Sequence, residues 1–188
     1  MASTYPTTID AFTNPTTTSL LTSPSHALQH ANINDAVEAL EAKVAIGNTV
    51  IGTYTAYTPT WNNLTVGNGT VSSAYARVNN FVHYFGAFTF GSTTSITVAQ
   101  NPELIMPITA GTPFSSGLLA PYGICSLFDT SAVLLYDGIV MSTSGTTGSI
   151  RVGNSASTYL SGNNVTPSVP MTWTTGDRIN WNLYYRAA

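Results

Sequence analysis

The chain has 188 residues, 43% of them apolar and only 7% charged, against roughly 25% charged in an average soluble domain; that is apolar matter for one folded domain plus an extension, under a surface of Thr, Ser, Asn, Gly and Tyr. The net charge of −3 lies in residues 1–50, where Asp10, Asp35, Glu38 and Glu41 oppose Lys43, while residues 51–188 balance Glu103, Asp129, Asp137 and Asp177 against Arg77, Arg151, Arg178 and Arg186. One lysine and four scattered arginines cannot form the basic patch that displaces counterions from nucleic acid, and no segment approaches the ~20 apolar residues of a membrane span, so neither partner is expected.

Residues 1–22, MASTYPTTIDAFTNPTTTSLLT, hold Thr, Pro and Asn around isolated apolar residues, Tyr5, Ile9, Phe12, Leu20 and Leu21, with no helical or strand period. Spaced apolar residues in such a segment suit an extended arm that orders against another surface, the alternative being a mobile tail. The segment lacks the basic start and apolar run of a signal peptide, so synthesis in the cytoplasm and a route outward other than Sec-type secretion are expected.

Residues 23–47 form the one convincing helical stretch. Ser23 can cap it with Pro24 at the first helical position, Ala is frequent, and Gly47-Asn48 supplies a stop. His26, His30, Ile33, Val37, Leu40 and Val44 follow one another at spacings of 4, 3, 4, 3 and 4, the seam of a coiled coil. An amphipathic helix packed on its own domain has a similar pattern, so both readings stand. In a parallel bundle His26 and His30 would each form a ring of imidazoles about the axis; local packing is the expected role, with no metal ion.

From residue 48 the period changes. Runs rich in Thr, Val, Ile, Tyr and Phe alternate with turn signals at Gly67-Asn68-Gly69, Gly91-Ser92, Asp137-Gly138, Gly145 to Gly148, Ser161-Gly162-Asn163 and Gly176-Asp177. Roughly eight to ten antiparallel strands in one domain over 48–188, a β-sandwich or jelly-roll-like knob, are expected. The clearest strand is the last, with Ile179, Trp181, Leu183 and Tyr185 on one face and Arg178, Asn180, Asn182, Tyr184 and Arg186 on the other. VHYFGAFTFGS reads as two faces interrupted at Gly86, where a bulge or a close approach is expected.

Few residues suggest chemistry. The four acids of the β region are dispersed, and Asp137 and Asp177 each sit beside glycine, where Asp serves a turn more often than catalysis. His83 lies among aromatics with no GxSxG elbow before a helix, and GTTGSIRVG lacks the lysine and helix of a phosphate loop. Cys125, the only cysteine, excludes an intrachain disulfide and a multi-cysteine zinc site and reads as a small core residue. Tyr122, Tyr136 and Tyr159, beside expected turns, are the candidate aromatic platforms for a glycan, with rim or intersubunit packing as the alternative. No enzyme and no cofactor are expected.

The order of parts, a Thr/Pro-rich leader, then SPSHALQHANINDAVEALEAKVAIG, then a β domain, resembles small structural proteins of tailed bacteriophages, the minor tail, tail-fibre and head-fibre group. The matching positions of the motif H-x-x-x-H-x-x-x-N-D-A-[IV]-x-A-[LI]-x-x-K-[VL]-G are His26, His30, Asn34, Asp35, Ala36, Val37, Ala39, Leu40, Lys43 and Val44; here Ala45-Ile46 stand before Gly47. The ending WTTGDRINWNLYYRAA is similar to the closing strand of virion-associated β domains, with Trp173, Gly176, Asp177 and Tyr185 on its recurrent positions. The resemblance implies a homotrimer located on the virion, with an arm on capsid or tail proteins, a helical neck and a β-rich head. Decoration or head-fibre duty is the first expectation, and a receptor-binding short tail fibre or baseplate tip contacting a host glycan is the second.

Overall fold

The structure is a computed structural model and describes residues 26–44, 53–98, 100–116, 119–154 and 161–188. Two compact units result, divided between Thr53 and Tyr54. In the first, helix α1 spans His26–Val44, about 28 Å at 1.5 Å per residue. Ala27, Ala31, Ala36, Ala39 and Ala42 and the absence of Gly and Pro within it favour the helical backbone. The expected arm, with Tyr5, Ile9, Phe12, Leu20 and Leu21, lies outside the described residues, as do Ser23, Pro24 and Gly47.

The second unit is mainly β. Its strands are β1 (Thr55–Ala56), β2 (Trp61–Asn62), β3 (Leu64–Thr65), β4 (Thr70–Val78), β5 (Phe81–Thr89), β6 (Ser95–Ile96), β7 (Glu103–Ile105), β8 (Pro121–Asp129), β9 (Leu134–Ser144), β10 (Thr147–Asn154), β11 (Ser161–Asn164) and β12 (Arg178–Arg186). Ten of them form one antiparallel sheet in the order β1-β4-β5-β12-β8-β9-β10-β7-β2, with β11 also on β10; β3 and β6 pair separately. β12, last in sequence, is therefore central, between β5 and β8.

The sheet is curled. β1 and β2 lie at opposite ends of it yet are separated by four residues only, and that short segment touches both ends: the Tyr57 amide donates to Ser73 O of β4 (3.1 Å) and Thr60 O accepts from Ile105 of β7 (3.1 Å). A chain of this length spans no more than ~14 Å, so the two edges must come close together. The concave side becomes the core. Trp61, at the far end of the sheet, packs on Phe88 of β5 and Trp181 of β12, with ring centroids 5.4 and 5.7 Å away.

Alternation on β12 is as expected: Ile179, Trp181, Leu183 and Tyr185 are buried while Arg178, Asn182, Tyr184 and Arg186 are exposed. β5 runs unbroken through Gly86 in register with both neighbours, so there is a close approach there and no bulge. A methyl at Gly86 would overlap the Trp181 indole and Ser73 Cβ. Two expected turns are strands instead. Asp137-Gly138 lies within β9, where Gly138 lets Arg151 O and Cys125 Sγ approach its α-carbon, and Ser161-Gly162-Asn163 belongs to the exposed strand β11. Asp177 does serve a turn: fully buried, its carboxylate accepts from the Thr130 amide (2.9 Å) and the Thr174 amide (2.6 Å), tying the entry of β12 to the β8–β9 turn.

Candidate functional site

On α1 the seam residues Ile33, Val37 and Leu40 are 53, 46 and 50% exposed, and Leu28 is 46% exposed. His26 and His30 meet edge to face with their Nε2 atoms 2.9 Å apart, so the two imidazoles of one helix pair with each other. Val44 ends the helix. Among the described residues no three His, Cys, Asp or Glu side chains gather in a metal-sized group, and no helix is long and apolar enough to cross a membrane.

Of the tyrosines singled out as glycan platforms, Tyr122 is placed otherwise. Tyr122 is 1% exposed, stacked on Phe114 at 5.3 Å, and its hydroxyl donates to Ser144 O (2.9 Å); it is a core residue with no face for a sugar. The sequence puts it beside a turn, but the register shift between Pro121 and Gly123 turns it inward. Tyr136 packs against the core in part, and Tyr159 lies outside the described residues.

The exposed aromatic residues lie elsewhere, on the convex face of the sheet. β5 sends Phe81, His83 and Phe85 outward, β12 adds Tyr184, and Tyr54 joins them just before β1. Their rings form a row: Phe81 to Tyr184 at 5.9 Å and 25°, Tyr184 to His83 at 4.4 Å and 4°, His83 to Phe85 at 5.5 Å and 33°. The His83 imidazole is held at both nitrogens, Nδ1 2.7 Å from the Tyr54 hydroxyl and Nε2 2.7 Å from Asn182 Oδ1. Since Oδ1 only accepts, Nε2 carries a proton toward Asn182, and the Tyr54 hydroxyl, which both donates and accepts, holds the ring at Nδ1. Among the described residues, its hydrogen-bond partners are a phenol and an amide.

Across β12 the same face holds a shallow trough of about 280 Å³, walled by Ser126, Asp137, Asn180 and Asn182 beside Ile124. Asn180 Nδ2 donates to Ser126 Oγ (3.2 Å). The Asp137 carboxylate has no hydrogen-bond or ion-pair partner among the described residues. At the two ends of the trough stand Ile124, 67% exposed and opposite Ile139, and Leu135, 61% exposed and opposite Phe128. Cys125 borders the trough, but burial pushes its thiol up to about 12, far from the thiolate a nucleophile requires. Comparison with protein-family models, with curated proteins and with solved structures gave no match for this chain.

Sequence reasoning missed this face because FVHYF is apolar at every second and every intervening position, so alternation alone does not say which side is inside. A usable signal was β12, whose clean alternation places Tyr184 and Asn182 outward and, through pairing, His83 and Phe85 with them.

Proposed function

We propose that the chain is a non-enzymatic structural protein of a bacteriophage virion, a trimeric decoration or head-fibre appendage anchored by its N-terminal arm and displaying the β unit as a knob. In its finer form the proposal makes α1 a three-stranded coiled neck and the curled sheet a jelly-roll-like head. The observation that carries it is the uncovered seam on α1. Ile33, Val37 and Leu40 stay about half exposed at coiled-coil spacing, while the β unit encloses a core of its own. Exposed apolar residues at that spacing are what a bundle of identical helices covers. Sedimentation of the purified chain tests this. A trimer that Val37→Asp dissociates is the expected result, and a wild-type monomer at micromolar concentration would overturn it.

A second reading, receptor binding by a short tail fibre or baseplate tip, is favoured by the trough, where the amide, hydroxyl and carboxylate groups of Asn180, Asn182, Ser126 and Asp137 stand among mostly apolar surface, a mixture that suits a hydroxylated ring. Copy number separates the two: capsid decoration requires many tens of copies per particle, and a tail tip only a few. Deleting residues 1–22 should leave the knob folded and abolish its incorporation into particles.

A further inference from the structure

The convex sheet face carries two apolar areas of different chemistry. One is the aromatic row, with Tyr54 51%, Phe81 54%, Phe85 39% and Tyr184 46% exposed; the other is the aliphatic pair of Ile124, 67% exposed, and half-buried Ile139, directly opposite each other on β8 and β9. Single exposed apolar residues are ordinary, whereas contiguous ones on a folded unit mark an interaction surface. The row does not suit a sugar. Phe81, Tyr184 and His83 stack face on face, so the inner rings turn their faces toward each other, whereas a pyranose packs on a free face. Ring edges carry the positive side of the aromatic quadrupole and pack well against side chains of another protein surface.

We propose that these two areas meet across the boundary between copies of this chain, the aromatic row of one against the aliphatic area of the next. Within one copy they cannot meet, because Phe85 and Ile124 are held apart on either side of Asn182 by the paired strands β5, β12 and β8. The charges on the face complement each other in the same sense. Arg186 points outward from β12 opposite Phe81 of the row and Asp137 from β9 opposite Ser126, neither has an ion pair among the described residues, and residues 51–188 sum to zero charge, so copies do not repel. An interface joining two different patches of the same chain closes into a ring where the rotation between copies closes, as the parallel helices of a trimer would enforce; a patch meeting itself would give a two-fold dimer. This inference rests on the self-assembling reading above and specifies the second surface that holds the assembly together.

The test uses the full-length chain. Cys125 is buried and its thiol unreactive, so single substitutions Phe85→Cys and Ile124→Cys report their own surroundings, with Thr175→Cys in an exposed turn as the control. Maleimide labelling of the native protein at both positions should be at least about tenfold slower than at the control, because thiol reactivity follows access. Phe85→Asp and Ile124→Asp should each lower the assembled fraction in sedimentation. Labelling of both cysteines at the control rate in a wild-type-sized oligomer overturns this inference and leaves the helical neck standing. A monomeric wild type overturns both. A dimer that cross-links through Phe85→Cys alone overturns the ring arrangement.

Discussion

Gly86 is the position where the packing of the β unit can be tested most directly. Its missing side chain makes room for the Trp181 indole: a Cβ there would lie 2.5 Å from Trp181 Cζ2 and 2.9 Å from Ser72 O, when carbon atoms in contact prefer about 3.5–4.0 Å. The indole has no way to withdraw, since it is 3% exposed and wedged against Trp61 and Tyr84, each 5.7 Å away between centroids. Overpacking of this kind costs about 1–3 kcal/mol, and the stiffer unfolded chain of an alanine returns about 0.5–1 kcal/mol. Gly86→Ala should therefore lose about 1–2 kcal/mol, a fall in Tm of about 2–8 °C. Gly153→Ala is the control, on an exposed stretch of β10 where the new methyl meets nothing nearer than Asp137 O at 3.5 Å; it should be neutral or stabilising by up to about 1 kcal/mol. Urea unfolding followed by tryptophan fluorescence measures both. Equal stability changes in the two variants would refute the argument that Trp181 occupies the space of a side chain at Gly86. A double-mutant cycle with Trp181→Phe adds a check, because a shared contact requires a coupling of at least about 0.5 kcal/mol.

Three further outcomes follow from buried polar groups. Tyr84 and Tyr185 are both buried, but the Tyr84 hydroxyl has no hydrogen-bond partner of regular geometry among the described residues and that of Tyr185 donates to Ile108 O at 3.0 Å; Tyr84→Phe should cost less than Tyr185→Phe, which should lower stability by about 1 kcal/mol, with the opposite order counting against this assignment. Asp177→Ala strips the partners from the Thr130 and Thr174 amides and should cost about 2–3 kcal/mol in thermal unfolding, a loss under half of that showing that water replaces the carboxylate. Hydrogen bonds from the Ala132 amide and from Ser131 hold the Asp129 carboxyl below its ordinary value. A lowered folded-state pKa gives stability that is complete above the unfolded value near 3.9 and is lost as pH falls through the folded one. Asp129→Asn should therefore show a flatter fall in unfolding free energy between about pH 5 and pH 2 than the wild type, and parallel curves would exclude the effect.

Where one element stated its own pattern, the fold was legible before any tertiary contact. The alternation of β12 named its buried face residue by residue, and the alanine-rich stretch with one apolar seam named its helix. Asp137-Gly138 was misleading for a physical reason. The dipeptide favours a turn locally, yet β8 and β10 both bond to this stretch of β9, and the small Gly138 is what lets the backbone of Arg151 come near. The His83 cluster was invisible for another. Tyr54 is 29 residues from His83 and Asn182 is 99 away, so only the insertion of a C-terminal strand beside β5 brings the three together. Tyr122 shows the limit of turn proximity as a guide, because one irregular pairing between Pro121 and Gly123 reverses the face that a counted alternation assigns.

The two uncovered surfaces also differ in how much assembly each can sustain. Covering a half-exposed Ile, Val or Leu is worth about 1 kcal/mol, so the three described seam residues contribute about 9 kcal/mol to a three-helix neck, against about 4–15 kcal/mol of lost freedom for each of two association steps. A neck of fewer than three heptads is marginal by that comparison, and its acidic residues Asp35 and Glu38 add mutual repulsion when copies gather. The β unit has the opposite balance: no net charge, and exposed aromatic and aliphatic residues that outnumber the three described apolar residues of the seam. In the assembly proposed here the sheet face therefore supplies most of the stability. The helix sets the number and parallel direction of the copies, and by tethering them raises the effective concentration at which the sheet faces meet.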